Sequence, residues 1–237
     1  MAEIIQTEKP TRPRPPAIWR WSVLVIISLA MFGNYYVYDA ISPLADVLSS
    51  QLNFSDSNIG LLKSIYSFPN IFLLLVAGII IDKIGTKKAT FLYGALCFVG
   101  AIIAAISPQL EIMAAGWLIF GVGAESLIVS VTRAIPKWFK GKELGFAFGI
   151  NLTIARLGSF AADWSPTWGG SYYSNWQDPL YLASILGLTC FLGGFTYYFM
   201  ERHAMRRYTL GEAGETDKFV FRDLFKFDKS YWYIVIL

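Results

Sequence analysis

Gly78-Ile79-Ile80-Ile81-Asp82-Lys83-Ile84-Gly85-Thr86-Lys87-Lys88 stands where two uncharged apolar runs meet, residues 65–81 before its Asp and residues 89–110 after its last Lys. The runs are 17 and 22 residues long. About twenty apolar residues cover roughly 30 Å of hydrocarbon at 1.5 Å per residue, so each is of membrane-spanning size. One Asp and three Lys are thus compressed into a short polar link between two spans. Gly85 suits the tight turn such a link needs, and the Lys pair holds it on one side of the bilayer.

The pattern continues in both directions. Residues 21–41 hold one charge (Asp39), residues 112–132 one (Glu125), residues 144–162 one (Arg156), and residues 179–200 none. Six spans are expected, near 18–42, 58–82, 87–107, 111–137, 142–163 and 178–201, with a tail over 1–17. Eighteen of the 20 Lys and Arg fall into four blocks, Lys9 to Arg20, Lys83 to Lys88, Arg133 to Lys142 and Arg202 to Lys229. The alternate connections hold only acids: Asp46 and Asp56, then Glu111, then Asp163 and Asp178. This alternation is the positive-inside bias of a multi-pass membrane protein and predicts both ends of the bundle in the cytoplasm. Lys63 and Arg156 break the rule. Lys63 can snorkel outward from the start of span two; lining a cavity is the other reading.

Composition excludes other classes. Hydrophobic residues are 55%, charged residues 16%, and mean hydropathy is positive, unlike a soluble domain of this size. A net charge of +3 is accounted for by topology and carries no reading as a nucleic-acid partner. Cys97 and Cys190 lie inside apolar runs and read as packing residues. With one histidine, His203, and no cysteine cluster, neither a metal site nor a cofactor is expected. There is no Walker-type phosphate loop and no nucleophile–His pair, so no enzyme is expected. Asn53-Phe54-Ser55 is a glycosylation-type triplet on the outward side, meaningful only in a eukaryotic secretory membrane. Residues 202–229 read as a polar linker, and Tyr231 to Leu237 as the opening of a seventh span, so the chain is expected to be the first half of a longer protein.

The Gly78–Lys88 stretch resembles the loop signature between helices 2 and 3 of the major facilitator superfamily: a glycine four residues before Asp, then basic, Gly and a basic pair. Gly78 permits close approach of a neighbouring helix. Asp82 sits at a helix C-terminus, where the macrodipole disfavours it, and so needs a cationic or helix-N-terminal partner. The resemblance implies an all-α membrane protein, the N-terminal six-helix bundle of a twelve-helix carrier, built as two inverted three-helix repeats. It also implies that Gly78, Asp82, Gly85, Lys87 and Lys88 form a conformational gate toward the C-terminal six-helix half.

Three further stretches narrow the resemblance: Gly121-Val122-Gly123-Ala124-Glu125-Ser126, Trp138-Phe139-Lys140-Gly141-Lys142-Glu143-Leu144 and Ala155-Arg156-Leu157-Gly158-Ser159. With Phe32-Gly33, Tyr38-Asp39 and Tyr66-Ser67-Phe68-Pro69-Asn70 they are similar to the dipeptide-uniporter branch, the major facilitator superfamily domain-containing protein 1 group. In that branch the matching Glu and Arg hold the amino and carboxylate ends of the substrate. One position departs: Trp117 stands where many superfamily members have an Arg.

Glu125 and Arg156 can be weighed on their own. An intramembrane charge costs at least about 2.5–3.5 kcal/mol and needs a partner or a wet cavity. Counted out from the turn between spans four and five, the two lie at similar depth, offset by roughly 3–8 Å. They could pair directly or bracket a zwitterion. Tyr38 and Tyr66 could supply hydroxyls to the same cavity, as could Tyr35. Asp39, about 28 Å up from Arg20 at 1.5 Å per residue, belongs to the outer rim as a gate. The expected function is alternating-access transport, facilitative or secondary-active, of a small zwitterion, most simply a dipeptide. An organic or phosphorylated anion carrier anchored on Arg156 and a non-transporting sensor or scaffold are the alternatives. Compact loops and no sorting-type Leu-Leu motif near the N-terminus favour a bacterial inner membrane, with the lysosomal membrane the expectation for a eukaryotic chain.

Overall fold

A computed structural model describes residues 13–67 and 70–211, and these form helices and no strand. Pro16 keeps the residue before it out of the α region, so α1 (Ala17–Asp39) starts immediately after it. α2 (Ala45–Leu52) ends on Asn53, whose left-handed φ of 56° an Asn tolerates. Ser55 caps α3 (Asp56–Ile65), its Oγ accepting from the Asn58 amide at 3.2 Å. Gly85 alone, at φ +81°, turns α4 (Asn70–Ile84) into α5 (Thr86–Ile106). α6 (Leu110–Trp138), α7 (Lys142–Asp163), the one-turn α8 (Ser165–Trp168), a 3-10 turn (Gly170–Ser174) and α9 (Gln177–Arg207) complete the order.

α5 lies along both α6 and α9, and α1 along both α7 and α9. The α5–α6 seam is made of small residues. A Cβ on Gly100 would stand 2.4 Å from the Phe120 amide nitrogen, and one on Gly116 2.3 Å from that of Ala104. Such backbone contact is how helices associate where lipid removes the hydrophobic drive between them. Apolar side chains also cover the outside, among them Val25 and Leu29 of α1, Leu75 and Ile79 of α4, Leu157 and Phe160 of α7 and Ile185 of α9. An apolar exterior around a helical core is what a bilayer solvates.

Polar contacts sort the ends of the bundle. At one end Arg20 pairs with Glu143, Arg133 with Asp82, and Lys137 with Glu201, while the Thr209 amide bonds to Pro13 O. The start of α1, the α4–α5 turn, the α6–α7 turn and the end of α9 therefore meet there, each carrying the described residues of one basic block. At the other end Gln51 donates to Ser174 O at 3.0 Å and accepts from the Trp176 amide at 2.9 Å. Gln177 there reaches Ala105 O at 3.4 Å. That end gathers the acid-only connections.

Helices α1, α5, α6, α7 and α9 are each long and apolar enough to cross a membrane. The span expected as one helix over 58–82 is divided into α3 and α4, with Tyr66 and Ser67 in a turn after α3. In a continuous helix a proline at position 69 would offer no amide hydrogen to the Ile65 carbonyl and its ring would clash with that oxygen, so the sequence disfavours an unbroken span. Span one is shorter than expected, ending at Asp39, and α9 runs on to Arg207, past the expected end at 201. The added turn holds Arg202, Arg206 and Arg207, cations that the C-terminal end of a helix dipole stabilises. Most of the expected tail, the linker beyond 211 and the start of a seventh helix over 230–237 lie outside the described residues.

Candidate functional site

Tyr35, Tyr38 and Asp39 lie three and four residues apart at the end of α1 and share one helix face. Tyr36 and Val37 turn the other way into the core, 2% and 1% exposed. Across from Tyr35, the Arg156 guanidinium carbon of α7 stands 5.1 Å from the ring centroid, a cation–π arrangement. Tyr35 lies in the electrostatic fields of Arg156, Glu125, Tyr38 and Asp39 together. Two opposite charges on different helices, a carboxylate nearer the acid-only end and one further phenol, Tyr38, thus surround one tyrosine. Glu125 is half-buried and Arg156 is exposed.

Tyr66 enters this group because span two is broken. It follows the last residue of α3, and its ring meets Tyr38 edge-on with centroids 4.4 Å apart. On its other side Trp117 lies at 6.2 Å and carries Phe120 at 5.5 Å. Trp117, 1% exposed, therefore puts an aromatic wall behind Tyr66, at the position where the resemblance departs from an Arg. Gly121 makes the approach possible, since a Cβ there would sit 2.3 Å from Tyr66 O. Glu125 is one turn further along α6 from Gly121.

Two buried amides absent from the sequence reading brace the site. Asn34, 1% exposed, donates from Nδ2 to Ala124 O at 3.4 Å, fixing α1 against α6 beside Glu125. Asn151 donates to Ser28 Oγ at 3.0 Å, fixing α7 against α1. Their signal in the sequence is plain: an amide inside an apolar run must find a partner.

Asp39 lies beside Ser159, in the fields of Asp163 and Arg156. Ser159 and Asp163 are one turn apart on α7, so Asp39 faces the acid-only rim of that helix.

At the basic end, Asp82 pairs with Arg133 of α6, whose guanidinium also donates to Gly78 O at 3.4 Å. Gly78 was expected to admit a neighbouring helix. Within the described bundle it meets the Arg133 side chain instead, since a Cβ on it would lie 3.4 Å from Arg133 Nη2 and near nothing else. Gly85 makes the expected turn at φ +81°. Lys87 points along α9, its Nζ 3.8 Å from Met205 Sδ, and Lys88 is exposed. Thr86, within the motif but unremarked in the sequence, is buried: it donates to both Glu201 oxygens at 3.0 and 2.9 Å and accepts from Lys137 Nζ at 2.7 Å. Glu201, 2% exposed, also takes the Lys137 ammonium at 3.0 Å. The link from α5 to α6 and α9 therefore runs through Thr86. Arg133 and Lys137 read in the sequence as topological charges only, although a carboxylate at a helix C-terminus calls for a cation.

Comparison with known proteins agrees with this architecture. The Major Facilitator Superfamily family model matches residues 27–237. The chain is 30% identical over 233 residues to the lysosomal dipeptide transporter MFSD1 of Danio rerio, covering 91% of this chain and 50% of that protein. It is 29% identical over 236 residues to the protein of the same name from Homo sapiens, covering 92% of this chain and 50% of that protein. A probable sulfoacetate transporter, SauU, of Cupriavidus necator is 27% identical over 139 residues, 59% of this chain and 32% of that protein. The chain spans about half the length of the MFSD1 relatives it matches. With a helical bundle of membrane-crossing helices and a family match over most of its length, this chain belongs to the major facilitator superfamily.

Proposed function

We propose that this chain forms the N-terminal half of a carrier that moves dipeptide-like zwitterions by alternating access. The observation that carries the proposal is the convergence of Glu125 and Arg156 on Tyr35 from two different helices. Glu125 binds the substrate ammonium and Arg156 its carboxylate. Arg suits the second task because its planar fork presents two parallel donors. Tyr38 and Tyr66 form the aromatic wall on which the peptide rests, and a C-terminal half closes the cavity from the other side. The name of the MFSD1 relatives, lysosomal dipeptide transporter, supports this reading.

The basic end faces the cytoplasm, a reading that the positive-inside bias supports. The compact connections favour a bacterial inner membrane; the name of the MFSD1 relatives makes the lysosomal membrane the counterpart in a eukaryote. Asp39 acts at the outward rim. Asp82, held by Arg133, acts at the inward rim, where Gly78, Gly85, Lys87 and Lys88 shape the surface that meets the C-terminal half.

A second reading is supported by Arg156 together with the sulfoacetate-transporter relative: an organic-anion carrier in which Arg156 alone anchors the substrate. Counterflow in vesicles holding the full-length carrier separates the two. Unlabelled dipeptides should accelerate uptake of labelled dipeptide while sulfonates and monocarboxylates do not; the opposite preference supports the anion carrier.

A further inference from the structure

The last turns of α9 carry two kinds of residue on one face. Phe195 and Phe199 come first, then Arg202, His203 and Arg206 follow at helical spacing. Phe195 and Phe199 are 44% and 49% exposed, and their rings lie 4.8 Å apart. With Phe91 of α5 and Tyr198 they line an apolar groove of 260 Å³. Where the aromatics stop, Trp19, Phe199, Met200, Arg202, His203 and Arg206 line a second cleft of 430 Å³. Phe199 borders both, so apolar groove and cationic cleft adjoin. Trp19 stacks flat on His203, centroids 5.2 Å apart and planes 7° from parallel, and so ties the start of α1 to this corner.

We propose that this corner binds an anionic phospholipid. The headgroup phosphate sits between Arg202, His203 and Arg206, and the acyl chains lie along Phe199, Phe195 and Phe91. Each part of the site matches one part of that ligand. Basic pockets between helices at the membrane surface take anionic headgroups. Tryptophan is at home at the headgroup level, and exposed aromatics below it contact hydrocarbon. A topological role for the arginines requires only that they stand at the basic end. It does not require an adjoining aromatic groove or a tryptophan packed onto the histidine. The corner is also remote from the substrate residues: the groove is built on α5 and α9, and Trp19 stands at the start of α1, about 24 Å from Tyr35 at 1.5 Å per residue. The binding does not depend on which side of the membrane the basic end faces.

The full-length carrier, purified in detergent, is incubated with equimolar phosphatidylglycerol and phosphatidylcholine, and the retained lipid is read by native mass spectrometry. Wild type should retain phosphatidylglycerol preferentially. The variant R202Q/R206Q should lose that preference by on the order of tenfold, as two interfacial arginines imply. K140Q/K142Q removes the same charge elsewhere at the basic end and should leave the preference intact. Soluble glycerol 3-phosphate should not displace the lipid. Unchanged preference in R202Q/R206Q, or an equal loss in K140Q/K142Q, overturns the proposal. Displacement by glycerol 3-phosphate overturns it also, since the site would then be one for free phosphate. None of these outcomes bears on dipeptide transport, so the two proposals fail separately.

Discussion

Arg133 on α6 holds the carboxylate of Asp82 on α4, and the same guanidinium reaches the carbonyl of Gly78 one turn earlier. The α4–α5 turn is thereby tied to a helix that also carries Glu125. Both partners are partly exposed, at 34% and 45% of their side chains, so the pair adds little stability and can exchange partners, as the proposed gating role requires. In the full-length protein Asp82→Asn should shift the balance between inward- and outward-open forms, read by labelling of single cysteines on the two faces. Arg133→Gln should shift it the same way, and the double variant no further than either alone. Loss of ligand affinity in Asp82→Asn, with labelling of both faces unchanged, would contradict the gating role.

A stronger consequence attaches to Lys137 and Glu201. Glu201 is almost wholly buried and Lys137 only slightly exposed, so removing one partner strands the other's charge. Glu201→Ala should destabilise the protein by about 3 kcal/mol, the low end for a broken buried pair because Lys137 retains some water. The double variant K137M/E201L should recover most of that loss. Thermal unfolding in detergent measures both, and a double variant as unstable as the single one would show that Thr86 and the surrounding packing hold the corner together.

Glycines in the second span and beside it should behave oppositely. A Cβ on Gly121 meets the Tyr66 backbone, whereas one on Gly60 meets nothing within 4 Å. Gly121→Ala should cost about 1–3 kcal/mol as overpacking and push Tyr66 away from Tyr38, weakening substrate binding. Gly60→Ala should be neutral or stabilising by up to about 1 kcal/mol, as helix propensity alone dictates. Equal tolerance of the two in thermal unfolding and ligand affinity would separate Tyr66 from the site.

Orientation is open to labelling with an impermeant thiol reagent. Cysteines at Ser57 and Ser174, both exposed at the acid-only end, should react from outside, and cysteines at Lys88 and Lys140 should react only after permeabilisation. Thr86 is unsuitable for this purpose because it is buried beneath Glu201. The reverse pattern would invert the bundle.

The spans, their order and the gathering of basic blocks at one end were legible because they depend on run length and charge alone. Glu125 and Arg156 stood out as candidates because a lone charge in an apolar run demands explanation. The break after Ile65 was not drawn from the sequence, although Tyr66-Ser67-Phe68-Pro69-Asn70 contains its cause. A proline inside an apolar run is common in membrane helices, and only its neighbours decide whether the helix kinks or divides. Asn34, Arg133, Lys137 and Thr86 were missed for a different reason. Each acquires its role from a partner distant in the chain, Ala124, Asp82, Glu201 and again Glu201, and periodicity within one helix cannot supply that pairing.

The central claim is that Glu125 and Arg156 hold opposite ends of one zwitterion. Each charge-assisted contact contributes about 1.5–3 kcal/mol, so losing either should weaken binding tenfold or more. The most direct test measures affinities of a free, an N-acetylated and a C-amidated dipeptide for the wild-type full-length carrier, Glu125→Gln and Arg156→Gln. Each cap should weaken binding to the wild type. The N-acetylated ligand should lose little further affinity in Glu125→Gln, and the C-amidated ligand little further in Arg156→Gln. Equal binding of capped and free dipeptides to the wild type would contradict the claim and leave Glu125 and Arg156 as structural charges around Tyr35.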